Sequence, residues 1–392
     1  MMSLLRLLVV GLLATFTQAL AQGDCVGDKK DILEVAKIAP STTLLASSTG
    51  IAHGLNEAAQ AAGKLWFGAA ISIPGQEEDN EHFLSVFRSS KDFGQATLAN
   101  SMKFAATERR PGKFDFTRAD KFLEVAKDKK IRCHAVVWHR DLPHWIGNPK
   151  IPWTNETLSA VLVEHVQTLV RHFGDTCYSW DVVNEAVSDD QQAHGTIQYR
   201  SSIWFRVIGP EYVAMAFQAA QKVIDEDKLK VKLYYNDYGI EEPSPKSAAV
   251  QMLVKQLKHR GIRVDGVGLQ SHFATGTTPS LELQERNLQD FVKLDIKVAI
   301  TELDVRSPVP PTAEDQQQQS RDYYNTVAAC MHVEKCVGIT VWGLVDDTSW
   351  VPQKFPGFGF ANLFLRQNKE SALVKKAAYD ACLRAMQGKP SP

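Results

Sequence analysis

At 180–186 the chain reads WDVVNEA, so Asn184 and Glu185 follow directly on Val182 and Val183. At 297–304 it reads KVAITELD, where Glu302 follows Ile300 and Thr301, with Asp304 just beyond. A carboxylate or amide at the end of such an apolar run is costly to bury without partners. Other strand-like runs end in the same way. The second leads to Asn100 and Lys103, and the third carries His134, Trp138 and His139. Asn236 and Asp237 end the fifth, Gln270, Ser271 and His272 the sixth, and Trp342 the eighth, with Asp346, Asp347 and Trp350 following. Singly, a tryptophan here is more often core and a histidine more often a satisfied buried group. Seven consecutive endings of this type exceed what packing requires, because each buried polar group needs a partner. Two carboxyl groups set among Trp, His and Asn suit cleavage of a glycosidic bond. One, protonated, donates to the leaving oxygen; the other, ionised, attacks or supports the anomeric carbon. Unequal surroundings must then separate their proton affinities. Indole faces stack on sugar rings, and Asn, His and Lys groups bind hydroxyls.

These residues meet only if the runs belong to one sheet. Strand-like runs at 65–71, 95–99, 131–138, 177–185, 232–238, 266–272, 297–304 and 338–344 alternate with helical patterns. The helical patterns lie near 80–90, 118–129, 157–173, 211–225, 246–260, 281–293 and 314–332, with a last at 371–386. Within 157–173, for example, Leu158, Val161, Leu162, His165, Val166 and Leu169 recur at three- and four-residue spacing. Eight β-then-α units predict an α/β fold, a closed parallel (β/α)8 TIM barrel whose strand ends form the mouth. The alternative, an open doubly wound sheet, lacks a G-x-G-x-x-G after its first strand. No Pro/Ser-rich linker divides the chain, so a single catalytic barrel is expected over 51–387. Segment 22–50 reads as an N-terminal extension, a helix at Asp31–Ile38 followed by a Ser/Thr-rich tether, with no chemistry assigned.

Arg6, the apolar run Leu7–Phe16 and the Ala19-Leu20-Ala21 site make 1–21 a signal peptide, too short in its apolar part to span a bilayer. A secreted, extracellular protein is therefore expected. Six cysteines in the mature part fit an oxidising compartment. Cys330 and Cys336 are near enough to staple a helix end to the next strand, Cys133 and Cys177 begin consecutive strands, and Cys25 and Cys382 lie near the two ends. Spacing alone leaves this connectivity open. Neither a C-x-x-C nor a Cys/His cluster suggests a metal, and the chemistry calls for no cofactor. With 44 basic and 45 acidic residues, the charge gives no reason to expect nucleic acid or an anionic membrane as partner. A monomer acting on a polysaccharide or glycoside is expected. Asn155-Glu156-Thr157 is an N-glycosylation sequon, compatible with a surface loop.

From about Leu55 to Arg384 the chain resembles the glycoside hydrolase family 10 enzymes, most of which are endo-β-1,4-xylanases. The motifs FGQATLANSMKF, RCHAVVWH, WDVVNEA, KLYYNDYGIE, GVGLQSHF, ITELDV and ITVWGLVDDTSW carry the resemblance, in order. It implies a retaining double displacement with Glu185 as proton donor and acceptor and Glu302 as nucleophile. It also implies that Asn184 binds the sugar 2-hydroxyl, that His272 keeps Glu302 ionised, and that Asp304 stands behind that histidine. By the same resemblance Asn100, Lys103, His134 and Trp138 line the non-reducing side, Trp342 and Trp350 wall the sugar, and Gln270 joins the network around the acid/base.

The chain departs from the family in two places. Ala99 stands where a glutamate usually precedes the asparagine, and Trp138-His139-Arg140-Asp141 replaces the usual W-H-x-Q. Losing a charged or bidentate contact to a sugar costs about 1.5–3 kcal/mol. These changes favour an alternative within the same family, a tomatinase-type glycosidase that removes the tetrasaccharide from a glycoalkaloid such as α-tomatine. The aromatic stretch VPQKFPGFGFANLF after Trp350 would suit an apolar aglycone, although many xylanases carry a similar one. A catalytically silent carbohydrate-binding barrel is a third reading, weakened by the presence of both glutamates.

Overall fold

The computed structural model describes residues 54–75, 77–191 and 195–392. The expected signal peptide, the expected extension over 22–50 and Cys25 lie outside the described residues. Eight parallel strands close on themselves: β1 (Trp66–Ile71), β2 (Gln95–Leu98), β3 (Lys130–Cys133), β4 (Cys177–Asn184), β5 (Lys232–Asp237), β6 (Gly266–Leu269), β8 (Lys297–Pro308) and β9 (Cys336–Trp342). A short β7 (His272–Ala274) pairs with β8, and β9 returns to pair with β1. The expected TIM barrel is present. Its strands read as near-continuous apolar runs because helices cover their outer faces.

Inside the barrel floor, packing depends on two close approaches. The rings of Trp66 and Tyr234 fill the axis, and a Cβ added at Gly338 or Gly266 would lie 2.4 Å or 2.3 Å from them. Trp66, Tyr234, Ala299 and Val337 form a small buried cluster there, separate from the main core between strands and helices. Just above it, Arg132 forks onto Asp181 (Nε to Oδ2 3.1 Å), and its guanidinium lies 4.6 Å over Tyr234. This buried pair links β3 to β4 directly under the mouth.

The helices form where the patterns predict them, with boundaries set by caps. Thr154 accepts from Thr157 N at the start of helix Asn155–Phe173, Ser244 caps Pro245–His259, and Thr312 with Asp315 forms a capping box for Ala313–His332. Helix Leu55–Ala61, which the sequence reading did not anticipate, contributes Leu55, Ala58 and Ala59 to the core. Asn155 is exposed but opens a helix rather than lying in a loop, and its amide donates to Ile208 O (3.1 Å).

Two strands are shorter than their apolar runs. β3 ends at Cys133, and residues 134–138 follow β4 through isolated bonds such as Val136 N to Asp181 O (3.0 Å). The 266–272 run breaks at Ser271, whose φ of 64° is left-handed and whose N–H is held by the buried Glu241 carboxylate at 2.8 Å. In both places irregular backbone replaces the expected ladder at the mouth.

Disulfides Cys133–Cys177 and Cys330–Cys336 form as expected. Among the described residues Cys382, buried in helix Ala377–Met386, has no disulfide partner, and its expected partner Cys25 lies outside them. The two bonds span 44 and 6 residues. Chain entropy gives about 4 kcal/mol for the longer loop and about 2 kcal/mol for the shorter. Cys133→Ser with Cys177→Ser should therefore lower the urea midpoint more than the corresponding Cys330/Cys336 pair of serines.

Candidate active site

β4 ends at Asn184, and Glu185 turns out of it in a left-handed conformation, φ 56°. For a non-glycine residue this costs on the order of 1–3 kcal/mol, so neighbouring contacts must hold it. Glu185 N donates to Asn236 O (2.9 Å), and Arg200 Nε donates to Glu185 O (3.1 Å). The next two backbone N–H groups, of Ala186 and Val187, both donate to the Tyr235 hydroxyl at 3.0 and 3.1 Å. That hydroxyl donates in turn to Asp237 Oδ2 at 2.5 Å. The turn thereby aims the Glu185 carboxyl into the mouth. Trp138 Nε1 donates to one oxygen (2.8 Å) and Gln270 Nε2 to the other (2.9 Å).

Glu302 faces it from β8. Asn236 Nδ2 donates to Oε1 at 2.7 Å, and His272 Nε2 lies 3.2 Å from Oε2. A relay of amides joins the two carboxyls. Thr301 Oγ1 donates to Asn236 Oδ1 (2.7 Å), which fixes that amide so its Nδ2 also reaches Asn184 Oδ1 (2.9 Å); Gln270 Nε2 approaches the same oxygen at 3.2 Å. Turning the Asn184 amide over would offer an acceptor to Trp138 Nε1 at 3.2 Å but set its NH2 against the NH2 groups of Asn236 and Gln270. The orientation with Oδ1 towards those two donors is the satisfied one.

The charges are arranged around His272. Its Nδ1 lies 2.9 Å from Asp304 Oδ1, and Trp350 Nε1 donates to Asp304 Oδ2 at 2.7 Å. Burial opposes a charged imidazole, but Asp304 and Glu302 outweigh it and push His272 up to about 10. Burial likewise opposes ionisation of Glu302, yet His134, His272 and Asn236 bring its carboxyl below the ordinary glutamate value. Glu302 is therefore an ionised, buried carboxylate at neutral pH. Asp237, held up by burial at about 6 despite Lys246 at 3.0 Å, sits behind Tyr235.

The structure brings the other expected residues to the same mouth. His134 Nδ1 is held by Asp181 (3.0 Å), and its ring meets Trp342 edge-on at 5.3 Å. Trp350 packs against His272 at 4.9 Å. Lys103 Nζ lies 4.7 Å over the Trp138 ring and 3.0 Å from Asn100 Oδ1. Asp141 is no vacancy. Its carboxylate pairs with Lys103 at 2.9 Å, while Ala99 is buried and presents almost no surface. Asp346 and Asp347 turn away from the mouth and pair with Lys376 and Arg366.

Sequence reasoning gave no role to Tyr235, Asn236, Arg132 with Asp181, or His139. Charged residues inside the apolar runs at 131–138 and 177–185 were the available signal for the second pair. His139 is kept neutral, near pKa 4, by burial and by Arg200 and Arg140. Its Nε2 accepts from Arg140 Nε (3.2 Å), so the proton sits on Nδ1, 3.7 Å from Glu185 Oε2.

His272→Ala would remove a cation and a donor from Glu302. In a carboxyl-labelled NMR titration, Glu302 should then ionise at higher pH than in the native protein, by about one unit or more. The same change removes stability that His272 supplies in full below about 6.5 and loses as pH rises through about 10, so the alkaline slope of stability should flatten.

The sequence model of Glycosyl hydrolase family 10 matches residues 54–385. Endo-1,4-beta-xylanase D of Talaromyces funiculosus is 43% identical over 335 residues, covering 85% of this chain and 77% of that protein. A crystal structure of a GH10 xylanase from Bispora sp. MEY-1 with xylobiose superposes with a TM-score of 0.83 at 56% identity, covering 85% of this chain and 99% of the other. Endo-1,4-beta-xylanase XylE of Penicillium canescens follows with a TM-score of 0.81 at 45% identity, covering 86% and 98%. With two carboxyls meeting at the mouth of a (β/α)8 barrel and a match over nearly all of the described chain, this protein belongs to glycosyl hydrolase family 10 and is a glycoside hydrolase.

Proposed function

We propose that the protein is a secreted endo-1,4-β-xylanase that hydrolyses xylan by double displacement. The observation that carries this reading is the unequal holding of the two carboxyls. Glu302 is ionised beside His272, whereas Glu185 is gripped by neutral donors, Trp138 and Gln270. In the first step Glu302 attacks the anomeric carbon while Glu185 gives its proton to the leaving oxygen. The Glu302 ester then carries no charge. In the second step Glu185 takes a proton from water as that water attacks the same carbon and releases Glu302. Asn184, its Oδ1 occupied by Asn236 and Gln270, offers Nδ2 to the 2-hydroxyl, where a hydrogen bond strengthens as oxocarbenium character develops. Trp342 and Trp350 wall the sugar, and Asn100, Lys103, His134 and Trp138 bind the non-reducing side.

Xylanase relatives support xylan as the substrate class, and none of the relatives above favours a glycoalkaloid. The Lys103–Asp141 pair removes part of the argument for a widened pocket. A silent barrel is disfavoured because both glutamates are present and fully engaged. Among the described residues no helix is long and apolar enough to cross a membrane, and the N-terminal signal pattern supports secretion.

Glu185→Ala should slow xylan turnover by about 10²–10⁴-fold, with a much smaller loss on an aryl glycoside whose leaving group needs no proton. Glu302→Ala should lose on the order of 10⁴-fold or more and regain turnover with azide, giving a glycosyl azide of inverted configuration. Offering xylan and α-tomatine in parallel decides the substrate. Tetrasaccharide and free aglycone without xylo-oligosaccharides would overturn the xylan reading.

A further inference from the structure

β8 carries Arg306 beyond Glu302 and Asp304, and the mechanism leaves it unused. Its guanidinium is half-buried, 4.0 Å over the ring of Phe355, and among the described residues only Nη1 has a hydrogen-bond partner, Phe273 O at 3.2 Å. Among the described residues Asp304 supplies the carboxylate charge that acts on it, and Asp304 already engages His272 and Trp350. Arginine offers five N–H donors in a planar fork suited to a carboxylate, so most of this fork is free.

The position is rigid and continuous with the active site. Arg306 sits in register with Ala274 of β7, and its carbonyl accepts from Thr275 N (2.9 Å). The neighbouring Ser307 pairs with Gly359, and Phe355 N donates to Val351 O at 2.8 Å. A file of rings leads there from the nucleophile. His272 contacts Glu302, Trp350 stands 4.9 Å from His272, and Phe355 meets Trp350 edge-on at 5.7 Å. At a rise of about 3.3 Å per residue, the Arg306 backbone stands roughly 13 Å from that of Glu302. It stands on the same strand as the nucleophile, at the end of that file of rings.

We infer that Arg306, seated on Phe355, binds the carboxylate of a uronic acid branch on the polysaccharide, so that the enzyme favours acidic over neutral stretches of its substrate. A neutral sugar hydroxyl would use one or two donors of the fork; a carboxylate fits it bidentately. Burial of the guanidinium strengthens such a contact by lowering competition from water. This inference rests on the xylan reading.

The test compares kcat/KM on glucuronoxylan with that on the same polymer after carboxyl reduction to neutral sugars. The native enzyme should prefer the acidic polymer, and added salt should erode the preference. Arg306→Gln should reduce the acidic-to-neutral ratio about tenfold, mainly through KM, and Arg306→Lys should restore part of it as a point charge. Calorimetric titration of an aldouronic oligosaccharide into Glu302→Gln, with and without Arg306→Gln, gives the same comparison without turnover. An unchanged ratio, or an equal loss on both polymers, overturns the inference while xylan hydrolysis stands. Failure of the native enzyme to cleave either polymer overturns the xylan reading itself.

Discussion

One imidazole, His272, stands between two buried carboxylates, and the site depends on that contact. Glu302 and Asp304 are both almost fully enclosed, where an unpaired carboxylate would take up a proton and lose its value as a nucleophile. A single cation within hydrogen-bonding distance of both helps hold Glu302 below the ordinary glutamate value. Trp350 completes the arrangement by donating to the far oxygen of Asp304, so the residue proposed to wall the sugar also holds this carboxylate in place.

The Glu185 side, proposed to supply the acid/base, is organised on the opposite plan. The Glu185 carboxyl has no charged partner within hydrogen-bonding distance among the described residues; an indole and two amides position it, and the imidazole facing it is neutral. Neutral donors and acceptors orient a carboxyl without imposing a permanent charge state, which suits a group that must carry a proton in one step and lack it in the next. Its left-handed backbone is tolerated because Tyr235 gathers the two N–H groups that the turn exposes, and Asp237 with Lys246 anchors Tyr235 from beneath.

Both halves are carried on a barrel whose floor is closed by Trp66 and Tyr234 and braced by Arg132 with Asp181. The brace crosses from β3 to β4, the strands that deliver His134 and Glu185. Asp181 is shared, holding both Arg132 and His134, so a buried ion pair supports a residue of the mouth.

Local pattern in the chain was enough to locate the eight strands and their helices and to single out Glu185, Glu302 and the polar groups between them. Periodicities of two and 3.6 residues and cap residues are written in short windows, and polar residues at the ends of apolar runs stand out in the same windows. What the windows do not contain is partnership. Asp141 with Lys103, Asn236 between Asn184 and Glu302, and Tyr235 under the Glu185 turn each join segments tens of residues apart or distant strands. The breaks after Cys133 and at Ser271 were equally illegible, since an apolar run does not reveal where hydrogen-bond ladders give way to side-chain acceptors. The sequence by itself determined which residues stand at the mouth. Only barrel closure decided which of them touch, and therefore that Glu302 is held ionised, because electrostatic partnership depends on distances across the ring and not along the chain.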